Sequence, residues 1–170
     1  VGNGSNDLLE LVAGAFLRPG TSAVYSQHAF AVYPLATQAR GAEGISVPAK
    51  DFGHDLHQML KAIAANTRLV FVANPNNPTG TLLDQDQIDR FMEKVPDHVV
   101  VVFDEAYYEF LDNPPDVLKY VRQGRNVVVL RTFSKIQGLA NLRIGYGLSN
   151  PELITVLQKT RQPFNANGIA

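Results

Sequence analysis

Four side chains able to do covalent or acid–base chemistry stand at comparable places along this sequence: Asn77, Asp104, Tyr107 and Lys135. The amine of Lys135 can add to a carbonyl carbon, and the carboxylate of Asp104 can face a proton or a cationic nitrogen. The amide of Asn77 and the phenol of Tyr107 can hydrogen-bond an oxygen between them. Each also has an ordinary structural reading. The segment Asn74-Pro75-Asn76-Asn77-Pro78-Thr79-Gly80 has the composition of a turn. Asp104 suits a cap, and a lone lysine is usually a solvated surface charge.

What argues for chemistry is the position of these groups relative to the elements that must hold them. Leu69-Val70-Phe71-Val72-Ala73, Val99-Val100-Val101-Val102-Phe103 and Val127-Val128-Val129-Leu130 are unbroken apolar runs, the signature of strands buried on both faces of a parallel sheet. The first ends at Asn74, the second at Asp104, and the third near Arg131 to Lys135. Helical spacing predicts helices over 7–17, 55–66, 84–94 and 151–159, with shorter strands at 23–25, 44–48 and 144–148. This alternation predicts an α/β fold of three layers, a mostly parallel sheet flanked by helices on both faces. In such sheets ligands bind beyond the carboxyl ends of the strands, where all these groups fall. A lysine amine facing an aspartate from one neighbouring strand and an asparagine from the next is the set that an aldehyde cofactor with a ring nitrogen needs.

Composition narrows the partners. With 15 Lys and Arg against 16 Asp and Glu, the net charge of −1 offers no electrostatic reason to bind nucleic acid or an anionic membrane. The absence of cysteine excludes disulfides and thiolate chemistry and suits a cytoplasmic setting. No apolar run approaches the roughly 20 residues that span a bilayer. His28, His54, His57 and His98 lack metal-ligand spacing, so a surface or loop role is expected for them and no metal is expected. The chain opens on Val1 and closes at Ala170 without a helix cap or closing strand, so it reads as a segment of a larger protein, one domain covering 1–170.

Asn77-Pro78-Thr79-Gly80, Asp104-Glu105-Ala106-Tyr107 and Thr132-Phe133-Ser134-Lys135, followed by Arg143, resemble in order and spacing the motif set of the fold-type-I aminotransferases that use pyridoxal 5'-phosphate. Within that family, Gly2-Asn3-Gly4-Ser5, Gln27-His28-Ala29-Phe30-Ala31-Val32-Tyr33 and Arg161-Gln162-Pro163-Phe164-Asn165 are most similar to the histidinol-phosphate aminotransferases. Relatives acting on aromatic amino acids share much of the same pattern. The resemblance runs over essentially the whole chain and implies an incomplete large domain, without the N-terminal arm and the C-terminal small domain.

The resemblance implies roles residue by residue. Lys135 would hold the cofactor as an imine and then act as the base at the substrate α-carbon. Asp104 would face the pyridine nitrogen and strengthen the electron sink, while Asn77 and Tyr107 would bond the ring hydroxyl oxygen. Phe30 would stack on the ring, although it reads equally as core. For the phosphate, Gly4, Ser5 and Asn6 lead into a helix and supply amides and dipole, Thr132 or Ser134 a hydroxyl, and Arg143 a guanidinium. A plain helix cap is the alternative for the first three. Asn165 would line the substrate side. The stretch after Lys135 departs from the usual pattern, with Gln137 in place of a tyrosine and Asn141 in place of a glycine, and Asn6 stands where many relatives have aspartate. The implied reaction transfers an amino group between a small-molecule amino donor and a 2-oxo acid, in a homodimer. The family's substrate-gripping arginine and partner-subunit tyrosine lie outside this sequence. A cofactor-binding regulatory domain, or a segment inactive by itself, is the alternative of another class.

Overall fold

The computed structural model describes all 170 residues, Val1 to Ala170. Six strands form one sheet in the order β2-β1-β3-β4-β5-β6. They are β1 (Ser22–Ser26), β2 (Glu43–Val47), β3 (Thr67–Ala73), β4 (Val100–Asp104), β5 (Val127–Thr132) and β6 (Gly145–Ser149). All neighbours run parallel except β5 and β6, which are antiparallel. The connection between those two contains only a 3-10 turn, Ala140–Leu142, and without a crossover helix the chain returns beside β5 in the opposite sense.

The period of two along each strand sorts the core into two layers. Val70, Val72, Val101, Phe103, Val127 and Val129 face a cluster that includes Met59 of helix α3 (Leu56–Lys61), Ile88 and Phe91 of α4 (Gln85–Met92), and Tyr120 of α5 (Leu118–Arg122). Leu69, Phe71, Ala73, Val100, Val102, Val128 and Leu130 face the other, with Leu9 and Val12 of α1 (Ser5–Phe16), Tyr33 and Ala36 of α2 (Val32–Ala39), and Leu153 of α6 (Pro151–Thr160). This is the three-layer arrangement expected, and it explains the uninterrupted apolar runs, since both faces of each central strand are covered.

Local signals set most helix ends. A capping box starts α4: Asp84 accepts from the Gln87 amide at 2.7 Å, and the Gln87 side chain accepts from the Asp84 amide at 2.9 Å. Asn150 caps α6 ahead of Pro151. Two expectations need adjustment. The helix expected over 55–66 stops at Lys61, because residues 64–67 close a turn in which the Ala64 amide donates to Thr67 Oγ1 at 2.9 Å and the chain reverses into β3. Helix α2 was not expected, since Pro34 interrupts its pattern; the proline sits in the first turn, where its missing N–H leaves no intrahelical bond unmade.

Candidate active site

The carboxyl ends of β3, β4 and β5 open into a cavity of about 290 Å³. Of the twelve site residues named from the sequence, ten line it: Ser5, Asn6, Phe30, Asn77, Asp104, Tyr107, Thr132, Ser134, Lys135 and Arg143. They come from six separate places in the chain, namely the start of α1, the segment before α2, the ends of β3, β4 and β5, and Arg143 ahead of β6, and the sheet brings them together because β3, β4 and β5 are adjacent and end in step. Ala73, Pro75 and Ala106 complete the wall.

Asp104 is the last residue of β4, paired with Ala73 of β3. It shares a face with Val100 and Val102, so its carboxylate turns toward α1 and α2, where it is 6 % exposed. Tyr33 Oη donates to its Oδ2 at 2.9 Å, and the Ala106 amide donates to Oδ1 at 3.3 Å. Burial raises the Asp104 pKa, opposed by the Tyr33 and Ala106 hydrogen bonds and by the charge of Lys135. Lys135 projects its Nζ over the Tyr107 ring, 5.0 Å from the centroid. Asn77 Nδ2 donates to Tyr107 Oη at 3.4 Å, so these two polar groups converge on one side of the cavity. The loop carrying Asn77 is clamped from behind. The Leu83 amide donates to Asn74 Oδ1 at 2.8 Å, Asn74 Nδ2 donates to the Leu83 carbonyl at 3.2 Å, and Asn76 Nδ2 donates to the His28 carbonyl at 2.7 Å. That last bond ties the loop to the segment holding Phe30, whose ring meets Tyr33 edge-on at 5.9 Å.

The opposite end of the cavity gathers hydrogen-bond donors that could hold an anion. No side chain caps α1, and the amides of Ser5, Asn6 and Asp7 have no acceptor within the protein. Ser134 Oγ is buried without a hydrogen-bond partner, a cost that a ligand oxygen would remove. Thr132 is the less available of the two hydroxyls, since its Oγ1 accepts from the Ser134 amide at 3.2 Å and faces the Ile144 carbonyl at 3.4 Å. Arg143, in the left-handed region at φ 53°, anchors one guanidinium nitrogen on the Ala140 carbonyl at 2.9 Å and leaves the rest of the group beside Gly4. Gly4 itself contributes shape. Its φ of 81° turns the chain into α1, and its amide is taken by the Gly2 carbonyl at 2.8 Å. Asn165 lies away from the lining and is engaged elsewhere, with Nδ2 donating to Asp7 Oδ2 at 3.1 Å and Oδ1 accepting from Arg161 at 2.8 Å.

Comparison with known proteins places this geometry. The family model for aminotransferase class I and II matches residues 1–170. The chain belongs to the class I and II aminotransferase family. A histidinol-phosphate aminotransferase 2 of Pseudomonas fluorescens (strain Pf0-1) is 59% identical over all of this chain and 46% of its own length. A histidinol-phosphate aminotransferase of Akkermansia muciniphila is 54% identical over all of this chain and 47% of its own. The solved histidinol-phosphate aminotransferase from Sinorhizobium meliloti, in complex with pyridoxal-5'-phosphate, superposes with a TM-score of 0.88 at 32% identity, over 95% of this chain and 44% of that one. A protein described as a histidinol-phosphate aminotransferase from Erwinia carotovora atroseptica gives a TM-score of 0.90 at 26% identity, over 98% and 50%. The chain thus spans about half the length of the relatives it matches.

Several features in and around this candidate site escaped the sequence reading. Tyr33 is buried against Asp104 from α2, and only its place in an aromatic segment hinted at a role. Glu105 faces away from Asp104 and pairs with Arg131, whose Nε donates to Oε2 at 2.8 Å while the guanidinium lies 3.7 Å over the Tyr108 ring. Burial pushes Glu105 up to about 7, against the pull of Arg131. Burial works on Arg131 as well, but the carboxylate outweighs it and holds the guanidinium above its ordinary value. Glu105 is therefore the member of the pair that titrates. His54 lies in the loop ahead of α3, one of the two roles expected for the histidines, but it is not on the surface: it is 8 % exposed with Nε2 at 2.9 Å from the Ala73 carbonyl. The fold tucks that ring under the end of β3, a contact distant in sequence.

Proposed function

We propose that the protein containing this chain is a pyridoxal-phosphate-dependent histidinol-phosphate aminotransferase. The reaction is L-histidinol phosphate and 2-oxoglutarate giving imidazole-acetol phosphate and L-glutamate, within amino-acid biosynthesis in the cytoplasm. The chain supplies the cofactor-binding domain, and the working enzyme is a homodimer. The observation that carries the reading is one cavity holding the Lys135 amine, the buried Asp104 carboxylate and an uncapped helix start beside the orphaned Ser134 hydroxyl. The relatives at 54–59% identity support the choice of substrate.

The cavity's chemistry fits the cofactor at both ends. Pyridoxal phosphate, when bound, supplies an aldehyde and an electron-withdrawing ring. Lys135 carries the one amine of the lining, so it is the group to hold the aldehyde covalently and then, as a free base, to move a proton at the substrate α-carbon. Asp104, kept from water, places negative charge where a protonated ring nitrogen would face it. Asn77 and Tyr107 orient a ring oxygen, and Phe30 presents an aromatic surface. Ser5 and Asn6 amides, the Ser134 hydroxyl and the Arg143 guanidinium hold the phosphate.

The test is direct. Pyridoxal phosphate is added to the purified protein, the complex is trapped with borohydride, and the modified peptide is mapped. The adduct is expected on Lys135 and absent in Lys135→Ala. Amino transfer from histidinol phosphate is then measured in competition with phenylalanine. Modification elsewhere sinks the assignment of Lys135, and preference for phenylalanine sinks the substrate.

A further inference from the structure

We infer that Tyr33 is a positioning residue for Asp104, the donor that fixes the carboxylate in place and keeps it ionised opposite the cofactor's ring nitrogen. The inference rests on the reading of Asp104 given above and extends it to a residue outside the cavity lining.

The geometry is specific. Tyr33 is 0 % exposed, and its hydroxyl donates to Asp104 Oδ2 at 2.9 Å across 71 positions of sequence. Its ring has no freedom to turn away. One face stacks on Phe71 with centroids 4.8 Å apart and planes within 4°, and Phe30 meets it at 86°. Its backbone is held as well, because Thr37 Oγ1 donates to the Tyr33 carbonyl at 2.8 Å. The hydroxyl therefore reaches Asp104 from a fixed direction. A carboxylate oxygen accepts more than one hydrogen bond, so Oδ2 can take the tyrosine and still present a lone pair to the cavity.

The electrostatics run the same way. A carboxylate buried this deeply tends to take up a proton, and a neutral Asp104 would no longer favour a protonated ring. A donor hydrogen bond to the ionised form opposes that tendency. The phenol is a dependable donor, because burial and the adjacent Asp104 hold its pKa well above the ordinary tyrosine value. Lys135 is the charged group that favours ionised Asp104, but its amine is the one that covalent attachment would take up. With the cofactor in place, Tyr33 and the Ala106 amide are the protein groups left to stabilise the charge. Phe30, Tyr33 and Asp104 form a continuous line, so the residue expected against the ring face and the one expected at the ring nitrogen share one support.

Tyr33→Phe removes only the hydroxyl and keeps the aromatic packing. The experiment measures cofactor dissociation by equilibrium dialysis and ring protonation by the ¹⁵N resonance of ring-labelled pyridoxal phosphate, in wild type, Tyr33→Phe, Asp104→Asn and the double variant. In the wild-type background the substitution is expected to weaken cofactor binding about tenfold or more, the scale of a hydrogen bond to a charged group, and to move the resonance toward the unprotonated position. In the Asp104→Asn background it should change binding less than about twofold, because the charge it serves is gone. Equal losses in both backgrounds, or an unmoved resonance in Tyr33→Phe, would overturn the positioning role and leave Tyr33 as packing. If wild type itself binds no cofactor, the failure belongs to the proposed function instead.

Discussion

Gly145 offers a sharp test of how the anion end of the cavity is built. At the start of β6 it pairs with Gly2, whose amide donates to the Gly145 carbonyl at 2.9 Å and whose carbonyl accepts from the Gly145 amide at 3.1 Å. This bridge holds the loop before α1 against the sheet. A Cβ at Gly145 would lie 2.5 Å from the Ser5 nitrogen, 2.7 Å from the Gly4 carbonyl carbon and 3.0 Å from the Arg131 oxygen. All three are backbone atoms, so no side chain can swing aside. Restoring an ordinary 3.4 Å contact from 2.5 Å moves the Ser5 amide by about 0.9 Å, enough to take it out of hydrogen-bond range of an anion. Gly145→Ala should cost about 1–3 kcal/mol through overpacking. It should also weaken pyridoxal phosphate binding about ten- to a hundredfold, the scale of one lost hydrogen bond to a charged group. Gly147→Ala is the control on the same face of the same strand. Its Cβ would meet a Leu130 methyl at 3.3 Å and a Leu8 methyl at 3.8 Å, side-chain ends that can yield. Its melting temperature and cofactor affinity should stay near wild type. Cofactor titration and thermal unfolding of the two variants decide the matter, and wild-type affinity in Gly145→Ala would refute the argument.

Two further outcomes follow from buried charge and from capping. Glu105 has a folded-state pKa of about 7 against an ordinary 4.5. Its contribution to stability is thus fully present below about 4.5 and is lost as pH rises through about 7, by about 3 kcal/mol in all. Glu105→Gln removes that titration and can still accept from Arg131, so the variant should gain in melting temperature relative to wild type between pH 5 and pH 8; a constant difference would show that Glu105 is not shifted. Asp84→Ala breaks the capping box of α4 and should cost about 1 kcal/mol, read as a lower melting temperature that Asp84→Asn largely restores.

The sequence by itself determined the chemistry of the central strands and their ends. Three runs of apolar residues can only be buried on both faces, and the polar groups that stop them, Asn74, Asp104 and the segment to Lys135, must then emerge together at one edge of the sheet. The motif spacing added the family, because Lys135, Asp104 and Asn77 depend on strand ends that local pattern sets. Tertiary structure decided what those groups touch. Helix α2 was hidden by Pro34, and with it went the reach of Tyr33 to Asp104, a contact between two turns of chain that no local period connects. The choice of Ser134 over Thr132 as the free hydroxyl depends on where the Ser134 amide and the Ile144 carbonyl fall. The raised pKa of Glu105 likewise depends on how much water the fold excludes. Residue types and spacing specify which groups are available, whereas burial and long-range packing set their orientation, charge and partners, because those depend on neighbours supplied from elsewhere in the chain.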